Sequence, residues 1–504
     1  MLSRHRELLA RSILHRLDVT RYADEPEYRA EIDNLIDDGV VGGFVAMDGE
    51  IDLVRATLAA LQVRAGGRLL MAADCEFGVT MRFPGGTEFP SMMALGSGGN
   101  LSTTYTAART IAVEMAAMGF HWNFAPVADV NVEPRNPIIN IRSFGQDPQT
   151  VADHVEAYVR GTQDAGIVAC AKHFPGHGDT AVDSHRSMPT LPHDRSRLDA
   201  VELVPFGRAV ASGVRSVMTG HIAVPALDPS GLPASLSRSM TTELLREELG
   251  FGGVIVTDAL DMGAITETYS SGETAVRAYT AGADVLIFLP DPRAGLDALV
   301  AAAERGEIAP ERVERTAEMV DGMRRWASSA VANASLTARA RLAHAELALE
   351  AARRTVRVEG EGSPFGFDPE TFVLALVDSG GAEACAEWLD HLAAWRPNLR
   401  AAVVTAEIGA EEQGEIATAL NAASSVLLAL FVRPRAYAGS VGLTSGQGEL
   451  ARRALEHPCA LLCFGNPWLL RDAAPALRID TYGTGPASLA VAVERLAELT
   501  GVEG

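Results

Sequence analysis

The order of apolar runs predicts an α/β protein: a (β/α)8 TIM-like barrel with some irregularity, followed by a smaller α/β domain of open-sheet type. Three observations carry this. Short apolar runs recur through the first three hundred residues, at 41–47, 68–74, 122–130, 168–174, 216–222, 254–260 and 284–289. Stretches with helical spacing lie between them. Polar side chains stand at the ends of several runs, where a barrel gathers them on one face.

Each element follows from its residues. The runs are rich in Val, Ile, Ala and Met and lack strict alternation, as strands covered on both faces do. Segments 101–118, 151–165 and 197–212 space their apolar residues for helices that cover the sheet. Seven strands are placed in this way and an eighth is not, so a doubly wound open sheet is the structural alternative. From 299 to 358 the chain is rich in Ala, Arg and Glu and reads as helices, with a break at 331–336. EGEGSPFGFD at 359–368 reads as a turn or linker. Runs at 372–377, 401–405, 426–432 and 460–464 then start a second parallel sheet. The expected organisation is a catalytic barrel over 1–330, a helical linker over 331–368 and a C-terminal domain over 369–504.

Composition excludes several roles. Of 504 residues, 47% are hydrophobic and 21% charged, and the formal charge is -22. That charge opposes binding to nucleic acid and to anionic membranes. Arg and His interrupt the leucines of residues 1–18, so no signal peptide is expected, and no run is long enough to span a bilayer. The five cysteines are scattered, which fits free thiols in a reducing cytoplasm.

The chemistry concentrates at the run ends. Asp74, Lys172, His173, His221 and Asp258 all fall there. The loop KHFPGHGDTAVDSH, 172–185, packs three histidines, two aspartates and a lysine around Gly176 and Gly178. Glycines permit unusual backbone angles and close approach. Asp183 and His185 are two apart, so in an extended loop they share a face, and a carboxylate beside an imidazole makes a proton donor. Asp258 ends the run in FGGVIVTDALDMGAI, where it can serve as nucleophile, base or metal ligand. Met262 is a candidate apolar wall beneath a ligand.

These segments resemble family 3 glycoside hydrolases, in the branch containing β-N-acetylglucosaminidases. FAPVADVN at 124–131, NPIINIRSFGQDP at 136–148 and SVMTGHIAVPALD at 216–228 follow in that family's order. The resemblance implies Asp258 as nucleophile, His185 as general acid/base and Asp183 as its partner. It implies Asp74, Arg82, Arg142, Lys172, His173, His177 and His221 around the sugar. The implied activity is retaining release of terminal β-linked GlcNAc from a small molecule or oligosaccharide, as in cell-wall recycling, without a cofactor. One departure is Asp74-Cys75-Glu76-Phe77-Gly78, where the family usually reads Asp-Gln-Glu-Gly-Gly. It touches the choice between GlcNAc and glucose. After glycosylation an imidazole is neutral where a carboxylate would repel an anion, so inorganic phosphate is an alternative acceptor to water. Two rivals differ in class. A metallohydrolase would use His173, His177, Asp179, His185 and Asp258, but Pro175 and Gly176 prevent a helix from presenting the first two on one face, and no metal is expected. A sugar-binding module without catalysis would have no use for Asp258 together with the Asp183–His185 pair.

Overall fold

The computed structural model describes residues 2–180, 188–360, 365–433 and 441–501. The chain divides into two compact units. The first comprises Met1–Thr87, Leu101–Glu133 and Ser143–His344; the second comprises Glu88–Asn100, Pro134–Arg142 and Ala345–Gly504.

The first unit is an eight-stranded parallel barrel. Its strands are β1 (Ile13–Leu17), β2 (Gly43–Ala46), β3 (Leu70–Ala73), β4 (Trp122–Asn123), β5 (Val168–Phe174), β6 (Ser216–Thr219), β7 (Val254–Thr257) and β8 (Leu286–Ile287). They lie in the order β7-β6-β5-β4-β3-β2-β1-β8. A parallel bridge between Val256 and Val285 joins the two ends. β1 is the strand that sequence reading does not find. His15 and Arg16 interrupt its apolar character, and only Ile13, Leu14 and Leu17 are fully buried. It nevertheless pairs with β2 on one side and β8 on the other, so the barrel depends on it for closure.

The barrel interior is a packed core of alternate residues. Leu14, Val45, Leu70, Ala72, Trp122, Phe124, Val168, Cys170, Met218, Val254, Val256, Val285 and Ile287 belong to one buried cluster. Val320, Met323 and Ala327, from the helix Pro310–Asn333, join it. With side chains alternating along a strand, Asp74, Lys172 and Asp258 are the next positions in phase with Ala72, Cys170 and Val256. The apolar filling therefore gives way to charge at the C-terminal ends. The covering helices include Leu101–Met118 and Pro148–Asp164. The segment expected as one helix over 197–212 is two, Arg195–Ala200 and Val204–Ala211, with Pro205 in the first turn of the second helix.

The second unit holds a six-stranded sheet in the order β11-β10-β12-β13-β14-β9. Its strands are β9 (Arg357–Glu359), β10 (Phe372–Val377), β11 (Arg400–Val404), β12 (Val426–Phe431), β13 (Cys459–Cys463) and β14 (Leu477–Asp480). Residues 357–359, read from sequence as the end of a helix and the start of a linker, form an antiparallel edge strand against β14. Val373, Ala375 and Val377 pack on one side with Trp388 and Leu489; Phe372, Leu374 and Leu376 pack on the other with Leu420 and Leu450. Met93 and Ile141 join Tyr482 in a small cluster that holds the two early segments to this unit. All five cysteines are buried and unpaired. Among the described residues no helix is long and apolar enough to cross a membrane.

Candidate active site

The polar groups at the C-terminal ends of the barrel strands form a connected network. After β3, Asp74 accepts from the Lys172 ammonium at 2.6 Å. Glu76 takes the same ammonium at 2.8 Å, and both Lys172 and Glu76 are 2% exposed. A buried lysine between two carboxylates is held by both and fixes their orientation. The Arg82 guanidinium approaches the other Asp74 oxygen at 3.8 Å. The backbone of this loop is pinned from outside: Asn123 bonds both the N–H and the carbonyl of Cys75, and the Tyr158 hydroxyl donates to the carbonyls of Cys75 and Glu76. Phe77, where the family pattern has glycine, does not take a positive φ, so the loop accommodates the larger residue without left-handed backbone.

The loop after β5 turns around Asp129. This fully buried carboxylate accepts from the backbone N–H of His173 at 3.2 Å and of His177 at 2.7 Å through Oδ1. Its Oδ2 meets His173 Nδ1 at 2.8 Å. The loop can pass so close only because Gly178 has no side chain; a Cβ there would stand 1.9 Å from the Val130 carbonyl oxygen. Gly176 takes a positive φ of 133°, with Glu202 beneath it. His177 is buried, and its Nδ1 bonds the Thr180 hydroxyl at 2.7 Å. Burial lowers its pKa to about 4, so it is neutral near pH 7.

Asp258 follows β7. Its backbone N–H donates to the Thr219 carbonyl, and its Oδ1 accepts from the Ala259 N–H at 2.8 Å. No partner holds Oδ2 among the described residues. Burial works against ionisation, but the electrostatic influence of His173 and His221, the Ala259 N–H and Lys172 outweigh it and hold the pKa at about 2. His221 supports the turn that aims this carboxylate: its ring bridges the Ser235 hydroxyl at 2.7 Å and the Ala259 carbonyl at 2.8 Å. Met262 is 3% exposed and starts the short helix Gly263–Thr266.

Asp74, Lys172, His173, His177, His221 and Asp258 are thus brought to one end of the barrel, with Arg82 beside Asp74. Arg142 falls in the second unit, where its guanidinium donates to the Ile138 carbonyl at 3.0 Å. Asp183 and His185 lie outside the described residues. His173, His177 and Asp258 do not form a cluster of metal-ligating atoms among the described residues. Sequence reasoning passed over Asp129, Glu76, Asn123 and Tyr158. The run-end position of Asp129 was a usable signal, the same one that marked Asp74 and Asp258. Asn123 and Tyr158 sit inside a strand and a helix, and carry no such mark.

With this geometry in place, residues 10–322 match the model of the glycosyl hydrolase family 3 N-terminal domain. The chain belongs to glycoside hydrolase family 3. It is 38% identical over 246 residues to β-hexosaminidase A of Pseudoalteromonas piscicida, covering 45% of this chain and 41% of that protein. It is 32% identical over 302 residues to a β-N-acetylglucosaminidase/β-glucosidase of Cellulomonas fimi, covering 58% of this chain and 53% of that protein. The matches thus span about half the length of these two relatives or less. A solved family 3 β-N-acetylglucosaminidase from Paenibacillus sp. str. FPU-7 superposes with a TM-score of 0.86 at 30% identity, over 99% of this chain and 97% of that one.

Proposed function

We propose that this family 3 enzyme is a retaining exo-β-N-acetylglucosaminidase that releases terminal β-linked GlcNAc. Asp258 carries the reading: a carboxylate kept ionised at a strand end, anchored through one oxygen and with the other unpartnered among the described residues. In the proposed reaction Asp258 attacks the anomeric carbon as His185 protonates the departing oxygen. A glycosyl-enzyme forms, and His185, now neutral, takes a proton from water as water displaces Asp258. Two inversions give retention. Asp183 acts as the partner that orients His185, while Asp74, Arg82, Lys172 and His173 serve the sugar hydroxyls directly or by holding one another in place. The 2-acetamido preference is supported by the relatives named β-hexosaminidase and β-N-acetylglucosaminidase.

The test is covalent trapping. A 2-deoxy-2-fluoro or 5-fluoro glycoside should label the peptide containing Asp258, and Asp258→Asn should be unlabelled and inactive. Full activity in a deamidation-free Asp258→Asn would overturn the assignment. A second reading, activity on β-glucosides at the same site, is favoured by the double name of the Cellulomonas fimi relative and by Cys75 and Phe77 in the sugar-facing loop. Comparing kcat/KM for matched aryl glucoside and N-acetylglucosaminide decides between them. Adding millimolar phosphate to the same assay shows whether a sugar 1-phosphate replaces free sugar.

A further inference from the structure

Three side chains beside the Asp129-anchored loop take no part in the mechanism above. Asp179 follows Gly178, His193 precedes the helix Arg195–Ala200, and Glu202 follows that helix beneath Gly176. One ligand atom from each lies within 4.8 Å of the others. His193 Nε2 meets Asp179 Oδ2 at 2.6 Å. The Arg197 guanidinium sits across the group, 3.4 Å from Asp179 Oδ2 and 3.0 Å from Glu202 Oε1.

We propose that Asp179, His193 and Glu202 form a binding site for a first-row divalent cation of the zinc type. Two buried atoms in this small network lack partners. Glu202 is 1% exposed, and among the described residues its Oε2 accepts no hydrogen bond and the Arg197 Nε donates none. Native networks rarely leave such groups unpaired. A single guanidinium also carries one charge against two carboxylates, and it cannot use the imidazole lone pair. A divalent ion corrects each of these mismatches. It balances both carboxylates, it gives Glu202 a partner for its second oxygen, and it takes a ring nitrogen of His193. Arg197 is about one-third exposed, so its side chain can turn outward, where water satisfies Nε.

Mixed nitrogen and carboxylate donors suit zinc and its neighbours; calcium and magnesium prefer oxygen alone. The site is separate from Asp258, and the inference is independent of the roles given to Asp183 and His185. Its structural effect is to join the end of the 172–179 loop to the helix that follows it in the barrel.

The experiment is titration of the full chain with zinc chloride in a non-chelating buffer, by calorimetry and equilibrium dialysis. One zinc per chain is expected at micromolar concentration, with calcium binding at least tenfold more weakly. H193A and E202Q should each weaken binding at least tenfold and should remove the zinc-dependent rise in Tm. R197Q should tighten binding several-fold, since it removes the competing cation; this opposite sign guards against misreading a variant that merely unfolds. H185A and D258N should still bind. The proposal fails if no saturable zinc is bound, if H193A and E202Q bind like wild type, if R197Q weakens binding, or if binding disappears in H185A or D258N.

Discussion

Replacing Asp129 separates its two duties, because its two oxygens have different partners. Oδ1 receives the N–H groups of His173 and His177, and Oδ2 meets His173 Nδ1. Asp129→Asn can keep a carbonyl oxygen on the backbone side and then presents an NH2 to the imidazole. One charge-assisted hydrogen bond is lost, at roughly 1.5–3 kcal/mol, an upper figure because the neutral amide is easier to bury. Asp129→Ala orphans three donors in a fully buried place, each costing roughly 1–3 kcal/mol and not strictly additive. The expected total is about 3–6 kcal/mol. Urea denaturation of both variants measures the difference. The asparagine variant also changes the hydrogen bond to His173, whose electrostatic influence is the first of those that keep the Asp258 carboxyl ionised against its burial. Its acid limb in kcat/KM should therefore move to higher pH while the fold persists. If alanine and asparagine cost the same, or if the acid limb does not move in Asp129→Asn, then Asp129 neither organises the loop nor acts on Asp258 through His173.

Three other outcomes are expected. Gly178→Ala should lose more than about 2 kcal/mol or fail to accumulate as folded protein, because its Cβ meets backbone at 1.9 Å; Gly207→Ala, with nothing within 4 Å, should gain roughly 0.4–1 kcal/mol, and thermal melts of the two decide. Lys172→Met leaves Asp74 and Glu76 without their shared cation and should cost about 3–5 kcal/mol as well as activity, read by denaturation and turnover; an unchanged midpoint would contradict the pairing. Asp258 has a folded pKa depressed to about 2 from 3.8, so its ionisation contributes stability that is present above about pH 4 and lost as pH falls through 2; acid titration of wild type and Asp258→Asn should show their stability difference changing across that window and constant above it.

Some of this protein is determined along the chain itself. Continuous apolar runs at regular spacing mark buried parallel strands, because a strand covered on both faces needs no alternation. Seven of eight barrel strands and four of six in the second sheet are legible in this way. β1 was hidden because His15 and Arg16 break its pattern, and β9 because it is only three residues long, with half-buried Val358 between exposed Arg357 and Glu359. The charged residues in phase with the barrel core, Asp74, Lys172 and Asp258, are visible as run ends. Tertiary structure decided their company. That Lys172 binds two carboxylates, that Asp129 ties His173 to His177, and that His221 supports the turn after Asp258 are contacts between strands far apart in sequence. The sequence specifies which side chains stand at strand ends, since that depends on local periodicity. Which of them meet depends on barrel closure and register, and those are set by pairing between strands and not within any one of them.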